Sequence, residues 1–276
     1  MYHKIVTANS MKMLADVLRE KTINRPLSFP NDFLEAHISA IEYASLSLPD
    51  SFIEMFASSY RLSSYGSYFC FPKCTLLKDS ALAGIQFSSN TLLDFPNCVE
   101  IGDHCFSRAT FKEINLPICK KIGTHAFYSC YCYGSHSMNF PECIEIGQSA
   151  FCYHESLTIS IPKCQKLPYG CFRSCSIWFK VFAPECSIIE EYAFANISKT
   201  RITVSFPKCI EIKDFAFYST SVSLYLMGSQ IVKLGSSVFD KPGETGQAKI
   251  YVPSSLYNRY IKAENWSKCL SSLYSL

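Results

Sequence analysis

"FPNCVEIGDHCF", residues 95–106, is the stretch that decides the fold, because its prolines, cysteines and phenylalanines return at nearly constant intervals along the chain. Pro49, Pro72, Pro96, Pro117, Pro141, Pro162, Pro184 and Pro207 are separated by 23, 24, 21, 24, 21, 22 and 23 residues, and Pro253 follows 46 later. Self-similarity at a period in the twenties is the signature of a solenoid, in which each repeat buries its apolar face only against its neighbours. The double interval holds "VSLYLMGSQIVKLGSSVF", with Met227 and Gly228 near the proline slot. Counting it, the period predicts about ten coils of about 23 residues over 43–253.

Each coil reads in the same order. An alternating run such as "EINLP", "LTISIP" or "KIYVP" has the period-2 pattern of a short strand with one buried face. Proline ends the strand, because it has no N–H for the ladder. Then "CVEIG", "CKKIG" or "CIEIG" points Ile101, Ile122 and Ile146 inward on a second extended piece, with glycine making the corner. Last, "DHCF", "THAF", "QSAF", "YGCF", "EYAF" and "DFAF" place Phe106, Phe127, Phe151, Phe172, Phe194 and Phe217 as core wedges on one helical or 3₁₀ turn.

This order of Leu-Pro or Phe-Pro, Ile-Gly and Ala-Phe resembles the BspA-type leucine-rich repeat family over roughly three quarters of the chain. The resemblance implies an α/β repeat solenoid with parallel strands and short helical caps at both ends. The closing "IYVPSSLYNRYIKAENW" also resembles the end of such proteins, a strand and then a capping helix over 254–276, with Tyr257, Tyr260, Ile261 and Trp266 covering the last coil. Residues 1–42 lie outside the repeat. Met13, Leu14, Val17 and Leu18 make one apolar helical face, and Asp32 N-caps a second helix bearing Leu34, His37, Ile38 and Ile41, so a helical cap is expected there. Residues 11–41 further resemble a helical segment of phage and prophage tail-associated proteins.

Composition excludes more than it names. The chain has 276 residues, 48% of them hydrophobic and 14% aromatic, which is ample for a core. A net charge of +3 from 26 basic and 23 acidic residues without long runs gives no footprint for nucleic acid or an anionic membrane. No stretch is apolar for about 18 residues, and the N-terminus lacks a signal-peptide core, so neither membrane insertion nor Sec export is expected. Cytoplasmic synthesis follows, with a virion as the final location under the phage resemblance and a cell surface as the alternative.

Of fifteen cysteines, Cys74, Cys98, Cys119, Cys143, Cys164, Cys186 and Cys209 each stand two residues after a proline. A ladder of small buried hydrophobes at a tight turn explains them, and reduced thiols are expected. His104 and His125 share one slot in successive coils beside Cys105, which raises a zinc or Cys–His catalytic reading. It lacks the paired spacing of strong metal motifs, and these histidines read as polar residues on the convex side. Cys130 and Cys132, with one residue between them, read as structural. No phosphate loop or nucleophile elbow is present. The chain therefore reads as non-enzymatic, with no cofactor and no metal.

What remains is the strand face. If the residue before each proline points inward, the outward set includes Asp94, Glu113, Asn115, Asn139, Ser160, Lys180, Phe182, Ser205, Ser223, Tyr225 and Tyr251. The expectation is a recognition protein binding a protein or glycan there, within a phage tail and in contact with other tail proteins. A bacterial adhesin and a ligand-free spacer are the alternatives.

Overall fold

A computed structural model of the chain describes residues 68–276 apart from 72–73, 88, 134–136, 155–156, 176–178, 198–200 and 240–247. The expected N-terminal cap (1–42) and the first coil around Pro49 lie outside the described residues.

The described chain is a coil of parallel strands repeated about eight times. Longer strands at Tyr68–Cys70, Leu92–Asp94, Glu113–Asn115, Ser137–Asn139, Leu157–Ser160, Phe179–Phe182, Ile202–Ser205, Val222–Tyr225 and Ala248–Val252 form one wall. Two-residue strands at Leu76–Leu77, Glu100–Ile101, Lys121–Ile122, Glu145–Ile146, Lys166–Leu167, Ile188–Ile189, Glu211–Ile212 and Lys233–Leu234 form the second. Each pairs in parallel, one repeat to the next: Leu93 opposite Ile114, Ile159 opposite Val181, Ile101 opposite Ile122. Eight turns are complete among the described residues, of the ten expected over 43–253. The coil at Pro49 is outside the described residues, and the strand before Pro253 leads into a helix rather than a short strand.

The alternation pattern is obeyed: Ile202–Ser205 runs buried, exposed, buried, exposed. The inward residues join Phe106, Phe127, Phe151, Phe172, Phe194 and Phe217, each at most 1% exposed, in one continuous core. Their rings stack coil on coil at 5.1, 5.3, 5.6, 5.4 and 5.1 Å.

The corner carrying these phenylalanines is not the helical turn its sequence suggests. It is two successive reverse turns whose third residues have positive φ: His104 and Arg108, His125 and Ser129, Ser149 and Tyr153. In Gly123–Ala126, for example, the Ala126 N–H donates to the Gly123 carbonyl at 3.3 Å and His125 takes φ 53°. That position of a type II turn favours glycine, and a non-glycine residue there costs about 1–3 kcal/mol. The compensation is visible in the backbone. Alternate amides donate to the next coil: His104 to Thr124 (2.8 Å), Phe106 to Ala126 (2.7 Å), Arg108 to Tyr128 (2.7 Å). A helical turn would direct those N–H groups along its own axis and leave the coils unbonded here.

Gly123 does not supply the positive φ; a Cβ there would lie 2.5 Å from the Gly102 carbonyl carbon. It is glycine because adjacent coils approach too closely for a side chain.

After Pro253 the chain forms a helix, Ser254–Tyr260, then a 3₁₀ helix, Trp266–Ser272, and returns as a strand, Leu273–Ser275. Tyr260 and Trp266 are fully buried, while Tyr257 and Ile261 pack half-buried against the core. The Trp266 indole N–H donates to the Val232 carbonyl at 2.8 Å, and Asn265 Nδ2 to that of Leu234 at 2.8 Å. The segment is thus not one capping helix. Its last strand adds to the wall, pairing Tyr251 with Tyr274.

Candidate recognition face

The register aligns the outward residues of the longer strands into columns. One column runs Asp94, Asn115, then Asn139, Ser160, Phe182, then Ser205, Tyr225, Tyr251 and Tyr274, with the pairs inside each group directly opposite one another. Beside it lie Glu113 and Lys180, both exposed. Glu113, Asn115, Asn139, Lys180, Phe182 and Ser205 are exposed, whereas Asp94, Ser160, Tyr225 and Tyr251 are half-buried. Ser223 is the exception: it is buried, in a strand whose first three residues are all covered. That outward assignment is corrected, because alternation alone ignores how neighbouring side chains close over a small residue.

The two halves of the column differ in chemistry. The N-terminal half is polar, with Asn115 Nδ2 donating to Asp94 Oδ1 at 2.8 Å. In the C-terminal half Phe182 is 58% exposed, and three tyrosines form a stacked ladder. Tyr225 and Tyr251 lie 4.5 Å apart with planes 12° apart, and Tyr251 and Tyr274 lie 5.4 Å apart at 30°. Four strand steps separate Phe182 from Tyr274, about 19 Å at the usual strand spacing. Tyr274 was missed in the sequence, since nothing in "SSLYSL" signals a strand that doubles back beside Ala248–Val252.

The second wall carries ion pairs between coils, among them Lys121–Glu100 at 2.9 Å and Lys233–Glu211 at 2.8 Å. Glu190 sits between Lys166 (2.7 Å) and Lys213 (2.9 Å). Burial raises its carboxyl pKa, but the two ammonium groups outweigh that and the net direction is down. These are largely exposed pairs and contribute little individually.

The histidine corner is a shallow groove of about 620 Å³ lined by His104, His125, Arg108, Tyr128, Ser80 and Ser107 among others. The His104 and His125 rings stack at 4.8 Å. Burial, then the neighbouring His104, lowers the His125 pKa against the pull of Asp103. Cys105 does not join them. Its thiol is wholly buried and burial raises its pKa far above the ordinary 9.0, the opposite of an activated nucleophile.

The turn cysteines occupy one buried column, with only Cys74 half-exposed. Each thiol donates to the carbonyl two residues on: Cys98 to Glu100 (3.2 Å), Cys119 to Lys121 (3.3 Å), Cys164 to Lys166 (3.1 Å). Cysteine therefore fits this slot as a small side chain that also returns a weak hydrogen bond. Cys130 and Cys132 face the same side, as residues two apart in an extended run do. Ser129, at φ 52°, bends the chain just before them, and both thiols are 2% exposed, facing inward. Among the described residues no helix is long and apolar enough to cross a membrane.

A family model for the BspA type leucine rich repeat region matches in six copies, over residues 34–133, 75–200, 121–244 and 165–273. Three solved chains also match, among them the crystal structure of a leucine-rich repeat protein from Bacteroides ovatus. It is 17% identical, with 73% of this chain and 63% of that one covered and a TM-score of 0.37, so this chain spans under two thirds of that protein. No curated protein matches. With its proline, cysteine and phenylalanine columns stacked coil on coil and the repeat model matched from 34 to 273, the chain belongs to the BspA-type leucine-rich repeat family, a scaffold suited to binding.

Proposed function

We propose that this protein is a non-catalytic recognition module that binds a protein or glycan across the longer-strand face. The observation that supports this reading is the Tyr225–Tyr251–Tyr274 ladder continuing toward exposed Phe182. Rigid tyrosines present large contact area at low entropic cost, and their faces stack on sugar rings or apolar side chains. The adjoining Asn115, Asn139 and Asp94 supply hydrogen-bonding groups along the same column.

Panning against a glycan array and a displayed-peptide library tests this. The Tyr225→Ala, Tyr251→Ala, Tyr274→Ala triple variant should bind a selected ligand at least tenfold more weakly, a drop of about 1.4 kcal/mol. Its fold, checked by circular dichroism, should persist. Wild-type affinity in the triple variant overturns the face.

The phage-tail setting rests on residues 11–41, outside the described residues, and names the assembly in which such a face would act. Tail genes beside the locus would support it; a longer exported precursor would favour the adhesin instead.

A further inference from the structure

Superimposing the repeats brings together residues that their sequence spacing keeps apart. The slot after each second reverse turn is filled by Ala109, Cys130, His154, Cys175, Ile197 and Thr220 in successive coils. Elsewhere in this column the choice is accounted for. Ala109 and Ile197 are apolar and buried, and the Thr220 hydroxyl donates to the Phe194 carbonyl at 2.6 Å while accepting from the Ile197 N–H at 3.0 Å. Cys175 turns its thiol to the Phe151 carbonyl at 3.1 Å.

His154 has no such account. It is 1% exposed, its Nδ1 has no hydrogen-bond partner, and its Nε2 faces the Cys132 sulfur at 4.0 Å. Burying an imidazole costs free energy unless both ring nitrogens are satisfied. Cys130 and Cys132, both 2% exposed, complete a group whose three candidate ligand atoms all lie within 4.8 Å of one another. Among the described residues it is the one group of three His, Cys, Asp or Glu so arranged.

We propose that Cys130, Cys132 and His154 form a zinc site inside the solenoid. Zinc takes thiolate and imidazole ligands at about 2.3 and 2.0–2.1 Å, which at tetrahedral angles sets the ligand atoms about 3.6–3.8 Å apart. The spacing already present, at most 4.8 Å, needs a contraction of no more than about 1.2 Å. Charge favours a divalent ion: two thiolates and Zn²⁺ sum to zero with neutral His154, whereas a monovalent ion leaves a buried negative charge. The remaining position of the tetrahedron is filled from outside these three side chains.

Binding is a proton exchange. Thiolate, not thiol, is the ligand, so Zn²⁺ displaces one proton from each cysteine to solvent as it forms two Zn–S bonds. The ion clips the turn ending at Cys130 to the turn of the following coil.

The test is titration of the full chain, stripped with chelator and kept reduced, first with Co²⁺ as a spectroscopic probe and then with Zn²⁺. One equivalent of Co²⁺ should bind with a thiolate-to-metal charge-transfer band and be displaced by Zn²⁺. X-ray absorption of the zinc form should show two sulfur and one imidazole ligand. Cys132→Ala and His154→Gln should each weaken binding at least tenfold, while Cys186→Ala, which removes a turn-column thiol, should not. No stoichiometric binding by the folded wild-type chain overturns the site, and so does a zinc shell of three or four sulfurs without imidazole.

Discussion

The phenyl rings of Phe127 and Phe151, in successive coils, lie 5.3 Å apart with planes only 3° from parallel. Phe151 is stacked again on Phe172 at 5.6 Å and is wholly buried, so it belongs to two coil interfaces at once. Phe151→Ala should cost about 3–5 kcal/mol, because a cavity opens between two coils that hydrogen bonds hold apart. Phe182→Ala, at a site 58% exposed, should cost far less. Urea midpoints compare the two, and equal shifts would show that the core is wrongly assigned.

Close approach of the coils makes a second expectation. Gly123→Ala places a methyl group 2.5 Å from the Gly102 carbonyl carbon and 2.6 Å from the Asp103 nitrogen, both backbone atoms that cannot swing aside. A loss of about 1–3 kcal/mol follows, as for other overpacked sites. Gly84 has φ 71° and nothing within 4 Å of a would-be Cβ, so Gly84→Asn meets no clash, carries only the left-handed backbone strain that asparagine tolerates best, and should cost less than Gly123→Ala. Thermal melting of the two variants checks the contrast.

The buried thiols predict an alkaline limit. Burial pushes Cys119 up to about 11 and Cys209 up to about 12, from an ordinary 9.0. Above pH 9 the unfolded chain releases these protons while the folded chain keeps them. Stability from these groups is therefore full below pH 9 and lost as pH rises through about 11–12. Urea midpoints from pH 8 to 11 should fall, and iodoacetamide at pH 8 should leave the turn-column thiols other than half-exposed Cys74 unmodified until denaturant is added. Rapid native alkylation of Cys119 would contradict the burial.

Trp266 fastens the last coil. Trp266→Phe keeps most of the ring but leaves the buried Val232 carbonyl without the indole donor, so about 1–3 kcal/mol should be lost. Amide exchange at Leu234 and Gly235 should quicken relative to exchange at Ile122, several coils away; uniform quickening would mean the cap is part of a single cooperative unit.

The proline spacing alone determined that the chain coils at about 23 residues per turn, and alternation before each proline determined which side of each strand is wet. Those features are written in sequence because period and pattern are local and repeat. The Phe wedges and the cysteine column were legible for the same reason. The corner was not. "DHCF" and "THAF" have no glycine where φ turns positive, and only bonding to the next coil makes His104 and His125 hold a left-handed backbone. Nor was Ser223 separable from its exposed neighbours, since its cover comes from other strands. Tyr274 reaches the aromatic ladder only because the chain returns after the 3₁₀ helix, and His154 meets Cys132 only because 22 residues of coil bring them back to one corner. Tertiary structure decided these placements because they depend on contacts between coils, and residues 22 or 23 apart become neighbours only once the solenoid has closed each turn.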